Sequence, residues 1–173
     1  MQLASWTQRA LALAQDMGRY YRDRWKVWAL VVVAIMCFHT FFKLGVNLTQ
    51  SLPNKLFIVT KFDQVVHRGN YVSFRWHGAK PYPKGIEFVK IVRGVAGDVV
   101  TFQGRNVYVN GEFVATAKEF SKQYEPLALG PSGVIPPGKV FVYATHPDSL
   151  DSRYALTGWI DASAVLGRAY VVF

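Results

Sequence analysis

The apolar residues of this chain follow two different patterns. From Val27 to Phe42 they form one almost continuous run, VWALVVVAIMCFHTFF, whereas from Leu56 onward they recur in short runs separated by Gly, Pro and Asn. A long apolar run predicts a helix in apolar surroundings, and short alternating runs predict β-strands. The pattern therefore predicts an N-terminal helical segment followed by a β domain.

We expect the apolar run to be a transmembrane helix over residues 27–46. About 20 residues of helix approach the ~30 Å of a bilayer core. Trp25 and Trp28 at one end, and Phe41 and Phe42 at the other, suit the two membrane interfaces. A buried core helix and a cleaved signal peptide are the alternatives. No other predicted helix could cover a core helix, and the segment before the run is long for a signal peptide.

The charges beside the run predict its orientation. Residues 1–26 carry five Arg and Lys residues, and the positive-inside rule places this end in the cytoplasm and residues 47–173 outside. Apolar residues from Leu3 to Met17 recur at helical spacing. They indicate a cytoplasmic amphipathic helix on the inner membrane face, and a plain helical extension of the span is equally open.

Residues 47–173 read as a mainly β domain, either a closed barrel or a sandwich. The residues Asn110–Glu112 have the composition of a hairpin turn between two strands. Residues 117–137 show little periodicity and contain four prolines. We expect this stretch to be a long surface loop with one short element of structure.

Composition excludes several classes of site. The net charge of +9 is spread along the chain without basic and aromatic residues interleaved, so we expect attraction to a membrane surface and no nucleic-acid partner. Cys37 is the single cysteine, which excludes an intrachain disulfide and a cysteine-based metal site. The four histidines are scattered without ligand spacing. We therefore predict no metal and no cofactor.

Lys90 has an unusual position for a lysine. In the run IEFVKIV, alternation places it between Phe88 and Val92 on an apolar face. If that face is buried, desolvation lowers the pKa of the amine, and a neutral amine can act as a base. From the pattern alone, a charged Lys90 that reaches solvent at a sheet edge is the competing interpretation.

Ser51 lies in TQSLPNKLF, between the apolar run and the first strand. Pro53 fixes its own φ and extends Leu52, which makes a rigid turn. Such a turn can present the hydroxyl of Ser51 as a nucleophile. The Ser51 amide can then stabilise an oxyanion, with the Thr49 hydroxyl as a second donor. Taken alone, Ser-x-Pro is more often an ordinary loop.

Together these residues resemble the type I signal peptidase (S26) family of serine proteases, which use a Ser-Lys dyad. Ser51-Leu52-Pro53 resembles the nucleophile box, and KIVRGVAGD, Lys90 to Asp98, resembles the general-base box. VYVNGEFV, Val107 to Val114, resembles the hairpin that follows. The stretch Ile135 to Tyr154, which ends in Asp-Ser-Arg-Tyr, resembles the C-terminal box.

The resemblance implies a role for each matching residue. Ser51 would attack the scissile carbonyl, and Lys90 would take its proton. Ser152 would hydrogen-bond and orient the lysine amine. Asp151 and Arg153 would form a supporting ion pair. The resemblance also implies a membrane-anchored β catalytic domain.

The sequence departs from the family pattern in the loops. Ile91 replaces the usual Arg after the general base, Ala96 replaces the usual Pro, and Thr145-His146-Pro147 replaces the usual Gly-Asp-Asn. These departures leave the dyad intact. The Ser-Leu-Pro box and the small C-terminal box are more similar to the TraF-like peptidases of conjugative transfer systems.

That similarity implies a propilin substrate, cleaved and in some systems cyclised, at the bacterial inner membrane. The chain would cross the membrane once, with its N-terminus in the cytoplasm and the catalytic domain in the periplasm. A general type I signal peptidase that removes secretory signal peptides is the alternative. The substrate strand would pair with Phe57–Thr60 or with the strand of Lys90, and no pocket residues are predicted.

Three rival interpretations belong to other classes. A self-cleaving repressor would need a helix-turn-helix in place of the membrane segment. A noncatalytic membrane assembly factor would need no dyad. A Ser-His-Asp triad could use His67, His77 or His146, although each is expected on a solvated loop or strand end.

Overall fold

The computed structural model describes residues 2–47 and 51–173. The chain divides into two compact units, a helical unit up to residue 40 and a β unit from residue 41 onward. The helical unit contains α1 (Gln2–Asp23) and α2 (Trp25–Phe41).

The apolar run forms a shorter helix than the sequence predicted. Helix α2 ends at Phe41, so its 17 residues rise only about 25 Å. Residues Phe42–Val46, assigned above to the span, instead form the strand β1 and pair with the strand that follows. An apolar run has no periodicity that would locate such a change from helix to strand.

The apolar helix is not covered within its own unit. None of the residues of α2 is buried. Among the described residues, no single helix combines the length and the apolar composition of a membrane span. The segments Trp6–Asp23 and Trp25–Phe41 together meet both conditions, but they are bent by 73° at their junction.

The β unit consists of two antiparallel sheets joined by short turns. Its strands in chain order are β1 (Phe42–Val46), β2 (Leu56–Thr60), β3 (Tyr71–Arg75), β4 (Glu87–Gly94), β5 (Val99–Gln103), β6 (Asn106–Val109), β7 (Glu112–Thr116), β8 (Gly133–Val134), β9 (Lys139–Tyr143), β10 (Ile160–Asp161) and β11 (Val165–Val171). A short 3-10 helix, Ala162–Ala164, precedes β11. The mainly β prediction is confirmed.

The strand order corrects the prediction of a closed barrel. The larger sheet has the order β1-β2-β11-β3-β4-β9-β10, and the smaller has β7-β6-β5-β8. Strands β1 and β10 are therefore the two edges of an open sheet within the described part of the chain. Closure depends on pairing between distant edges, which alternation along single strands does not specify.

The predicted hairpin turn joins β6 and β7. Asn110 and Gly111 both have positive φ, 52° and 82°, as a two-residue hairpin turn with right-handed strand twist requires. The stretch from residue 117 to 137 contains one short strand, β8, and otherwise irregular backbone. That agrees with the loop predicted there.

Three clusters of buried residues hold the β unit together. One lies on the face of β3, β4 and β9 that includes Val72, Val92 and Val142. A second joins the smaller sheet to β9 through residues such as Val107 and Phe141. The third lies on the opposite face of β4. Strand β4 is thus covered on both faces, which explains why a side chain in its middle is withdrawn from water.

Candidate active site

Lys90 lies in the middle of β4 and is buried. Its register partner on β3 is Val72, and its neighbours on the same face, Phe88 and Val92, belong to the apolar cluster there. The residue is only 3% exposed. The sequence left open a buried Lys90 and a charged Lys90 that reaches solvent. In the structure Lys90 is buried.

Burial changes the protonation of this amine. Removal from water disfavours the ammonium form, and this lowers the pKa of Lys90 from 10.5 to about 8. Two charged neighbours act in opposite directions, because Asp151 raises the pKa and Arg153 lowers it. Roughly a tenth of the amine is therefore neutral at pH 7, which is the form that a general base requires.

The amine of Lys90 is held by Ser149, a residue that sequence reasoning missed. Lys90 Nζ donates a hydrogen bond to Ser149 Oγ over 2.5 Å, and both residues are buried. The residue predicted for this role was Ser152. Its hydroxyl oxygen instead accepts a hydrogen bond from the amide of Val142 on β9, at 3.0 Å.

Two similar pairs in the sequence explain this difference. Asp148-Ser149 and Asp151-Ser152 have the same composition and lie three residues apart. The resemblance pointed to the second pair, which precedes Arg153. The backbone turns between them, so the first serine faces β4 and the second faces β9. The repeated Asp-Ser pair was the one sequence signal that could have suggested Ser149.

Ser51 lines the same cavity as Lys90, which has a volume of about 380 Å³. The serine is 7% exposed, and its hydroxyl lies 3.4 Å from Asn47 Oδ1. Asn47 Nδ2 in turn donates to the carbonyl oxygens of Leu52 and Asn54. Asn47 therefore braces the turn that presents the serine. The other predicted oxyanion donor, Thr49, lies outside the described residues.

A tight turn at residues 146–149 connects the serine to the lysine. The amide of His146 donates to the carbonyl oxygen of Ser51 at 3.2 Å, and the amide of Ser149 donates to the carbonyl oxygen of His146 at 3.0 Å. One end of this turn thus contacts the backbone of Ser51. The other end contacts the amine of Lys90.

Asp151 and Arg153 form the predicted ion pair. Two guanidinium nitrogens contact the two carboxylate oxygens at 2.7 and 2.9 Å, and both side chains are almost fully buried. Arg153 Nη2 also donates to the carbonyl oxygens of His146 and Ser149, at 3.3 and 3.2 Å. Burial alone would lower the pKa of Arg153, but the carboxylate of Asp151 outweighs it and raises that pKa. The pair therefore fastens the turn from inside the domain.

One of the histidines considered for a triad, His146, lies at this site. His146 lines the cavity and is exposed. Its Nδ1 accepts a hydrogen bond from the amide of Asp148 at 3.2 Å, so that nitrogen is engaged with the backbone. The amine of Lys90, in contrast, is buried at the same cavity.

Comparison with known proteins assigns the chain to a family. The family model described as "Signal peptidase, peptidase S26" matches residues 24–173. This chain belongs to the peptidase S26 family. Membership confirms the resemblance to the S26 family that the sequence motifs indicated.

Two proteins to which this S26 chain is similar are both signal peptidases I. Signal peptidase I of Bacillus licheniformis is 33% identical over 98 residues, which cover 52% of this chain and 52% of that protein. The match thus spans about half the length of the curated relative. The crystal structure of a signal peptidase I from Enterococcus faecalis is 23% identical, with a TM-score of 0.42, and covers 61% of this chain and 97% of that one.

Proposed function

We propose that this S26 chain is a membrane-bound endopeptidase that cleaves preproteins with Ser51 as nucleophile and Lys90 as general base. One observation carries the proposal: the buried amine, held by Ser149, lines the same cavity as Ser51. An amine that donates one N–H to Ser149 keeps its lone pair for the proton of another hydroxyl. This arrangement suits acyl transfer through a serine ester.

The chemistry has two balanced halves. The Ser51 oxygen bonds to the scissile carbonyl carbon, and its proton passes to the amine of Lys90. The tetrahedral intermediate then breaks the carbon–nitrogen bond, and the lysine ammonium returns the proton to the leaving amine. In the second half the oxygen of water bonds to the ester carbon, and Lys90 takes a proton from that water. The bond between this carbon and the Ser51 oxygen then breaks, which releases the carboxyl product, and the lysine ammonium returns the proton to the Ser51 oxygen. Lys90 thus ends each half in its neutral form.

The family and the Bacillus licheniformis relative, a signal peptidase I, support a substrate class. We therefore favour preproteins with a signal peptide and small residues before the cleaved bond. Cleavage of a propilin in a conjugative system is a finer proposal, which rests on the resemblance of the Ser-Leu-Pro and C-terminal boxes to TraF-like peptidases. Ring closure would follow if the pilin's own amine attacked the ester in place of water.

Membrane attachment through the N-terminal unit is part of the same proposal. Helix α2 is apolar and unburied, and four arginines lie before it, with Lys26 near its start. We therefore place the N-terminus in the cytoplasm and the catalytic domain in the periplasm. Protease added to spheroplasts should digest the β domain and spare an epitope at the N-terminus, and the reverse pattern would contradict this orientation.

The activity is tested with the full chain in detergent. Purified protein is incubated with a preprotein and with a propilin, and the products are analysed by mass spectrometry. Ser51→Ala and Lys90→Met should each abolish cleavage, while the exposed Ser132→Ala and Lys84→Met should not. A propilin product lighter by one water than the linear chain would show cyclisation.

Each remaining result decides between the classes. Cleavage of the preprotein alone supports the general signal peptidase. Cleavage of the propilin alone supports the conjugative role. If the wild-type protein cleaves neither, the noncatalytic assembly factor replaces the peptidase. If Lys90→Met cleaves normally while His146→Ala does not, the Ser-Lys assignment is wrong.

A further inference from the structure

Residues 118–127, which we call the arm, project from the end of β7 and are fastened at their base. Arg105 Nη2 donates to the carbonyl oxygens of Lys118 and Leu127, the latter at 2.8 Å. The amide of Lys118 donates to the hydroxyl of Tyr154 at 3.1 Å. Both ends of the arm are therefore attached to the β domain.

The arm has a defined structure at its tip as well. The hydroxyl of Ser121 accepts hydrogen bonds from the amides of Gln123 and Glu125, at 3.1 and 3.2 Å. Tyr124 adopts a left-handed conformation with φ of 61°, which is uncommon for a non-glycine residue, and its amide donates to the carbonyl oxygen of Ser121 at 3.1 Å. The arm is thus an ordered element, although it contains no regular strand.

This arm forms part of the catalytic cavity. Phe120, Gln123 and Leu127 line the same cavity as Ser51 and Lys90. These side chains therefore border the space that a polypeptide would enter to bring its scissile carbonyl to Ser51. Aromatic and aliphatic side chains at that wall limit the size of the substrate side chains beside the cleaved bond.

A single carboxylate ties the arm to the catalytic turn. Asp148, directly before Ser149 in the sequence, contacts Lys118 Nζ at 2.5 Å through Oδ1 and Lys122 Nζ at 3.3 Å through Oδ2. The hydrogen bond from Lys118 also holds the pKa of Asp148 below its usual value. The two lysines belong to the arm, so this contact joins the substrate wall to the turn that holds Lys90.

We propose that the arm is the specificity-determining wall of this site and that Asp148 is a positioning residue that sets its distance from the catalytic turn. The inference rests on the proposed endopeptidase activity and deepens it. A wall held close admits small substrate side chains and excludes large ones. Releasing the wall should therefore change which substrates are cleaved more than how fast the best one is.

The test measures selectivity with two internally quenched peptides. One has Ala at both small positions before the cleaved bond, and the other has Leu at one of them. The wild-type chain in detergent should favour the Ala peptide. Phe120→Ala and Asp148→Asn should each lower the ratio of the two kcat/KM values by roughly three- to tenfold. The pH midpoint of the rate should stay unchanged.

The charges allow a matched rescue. Asp148→Lys should lower selectivity further, because it faces the two lysines, and combining it with Lys118→Asp should restore the ratio. Asp161→Asn is the control, since it removes an ion pair of similar length, 2.6 Å to Lys139, that does not line the cavity. Its ratio should equal that of the wild type.

The outcomes separate this inference from the proposed function. An inactive wild-type chain, or an active Ser51→Ala variant, would contradict the peptidase itself. An active wild type whose selectivity is unaltered by both Phe120→Ala and Asp148→Asn would overturn the role of the arm alone. A shift of the pH midpoint in Asp148→Asn with unchanged selectivity would also overturn it, since Asp148 would then act on Lys90.

Discussion

Replacing Lys90 with methionine should abolish cleavage and at the same time stabilise the fold at neutral pH. The lysine is 3% exposed, and burial lowers its pKa from 10.5 to about 8. The unfolded chain therefore binds this proton more tightly than the folded chain does. By linkage, the lysine destabilises the folded state at each pH at which the unfolded chain carries this proton, because folding must then either release the proton or bury the charged amine. Methionine has a similar length and no charge, so it removes this cost.

The magnitude follows from the two pKa values. The fall of the Lys90 pKa from 10.5 to about 8 corresponds to roughly 3 kcal/mol of destabilisation. The substitution also leaves the hydroxyl of Ser149 without the amine, which costs about 1 kcal/mol. A net gain of about 2 kcal/mol should raise the Tm by roughly 6 °C. The lysine's cost is fully present below pH 8 and disappears as the pH rises from about 8 to 10.5, so the advantage should shrink over that window.

Thermal unfolding in detergent checks this prediction. Near-ultraviolet circular dichroism reports the packing of aromatic residues in the β domain, and melts are recorded from pH 6 to pH 10 for the wild type, Lys90→Met and the exposed control Lys84→Met. The control should follow the wild type at each pH. A Lys90→Met protein whose Tm difference does not change with pH would refute a buried lysine with a lowered pKa.

Three further predictions concern the same site. The kcat/KM of the wild type should rise about tenfold per pH unit below pH 8 and level off above it, since the rate follows the neutral fraction of Lys90; a flat profile would argue against this base. Ser149→Ala should lower kcat by roughly 10- to 100-fold, whereas Ser152→Ala should mainly lower the Tm, because it leaves a buried amide of β9 unpaired; kinetics and melts on both variants decide between the two serines. Arg153→Met should destabilise the domain by about 3–5 kcal/mol, because Asp151 remains buried and unpaired. Any folded fraction should show a pH midpoint above that of the wild type.

Local patterns in the sequence predicted the parts of the site that depend on single strands. Alternation along β4 placed Lys90 on the face of Phe88 and Val92, and the structure has it there. The Asn110–Glu112 turn was equally local. Burial itself was not decided by alternation, because it also depends on what covers β4, namely β3, β9 and the clusters on its two faces.

The remaining features depend on contacts between distant residues. Ser149 and Ser152 are each preceded by an aspartate. Only the path of the turn decides which of the two serines contacts Lys90 on β4. The end of α2 at Phe41 depends on pairing of β1 with β2, and an apolar run does not encode that pairing. The arm was predicted only as a loop. Its position at the cavity that contains Ser51 depends on hydrogen bonds with Arg105 and Tyr154, which are distant in the sequence.

The buried ion pair explains how the protein can lower the pKa of Lys90 and still fasten the turn beside it. Asp151 alone would attract the ammonium and keep the base protonated. Arg153 opposes that effect, and its guanidinium also binds the carbonyl oxygens of His146 and Ser149. The charges of the pair therefore offset each other at the amine, and desolvation decides its protonation. Since the same guanidinium holds the turn in place, the position of Ser149 and the basicity of Lys90 depend on one buried contact.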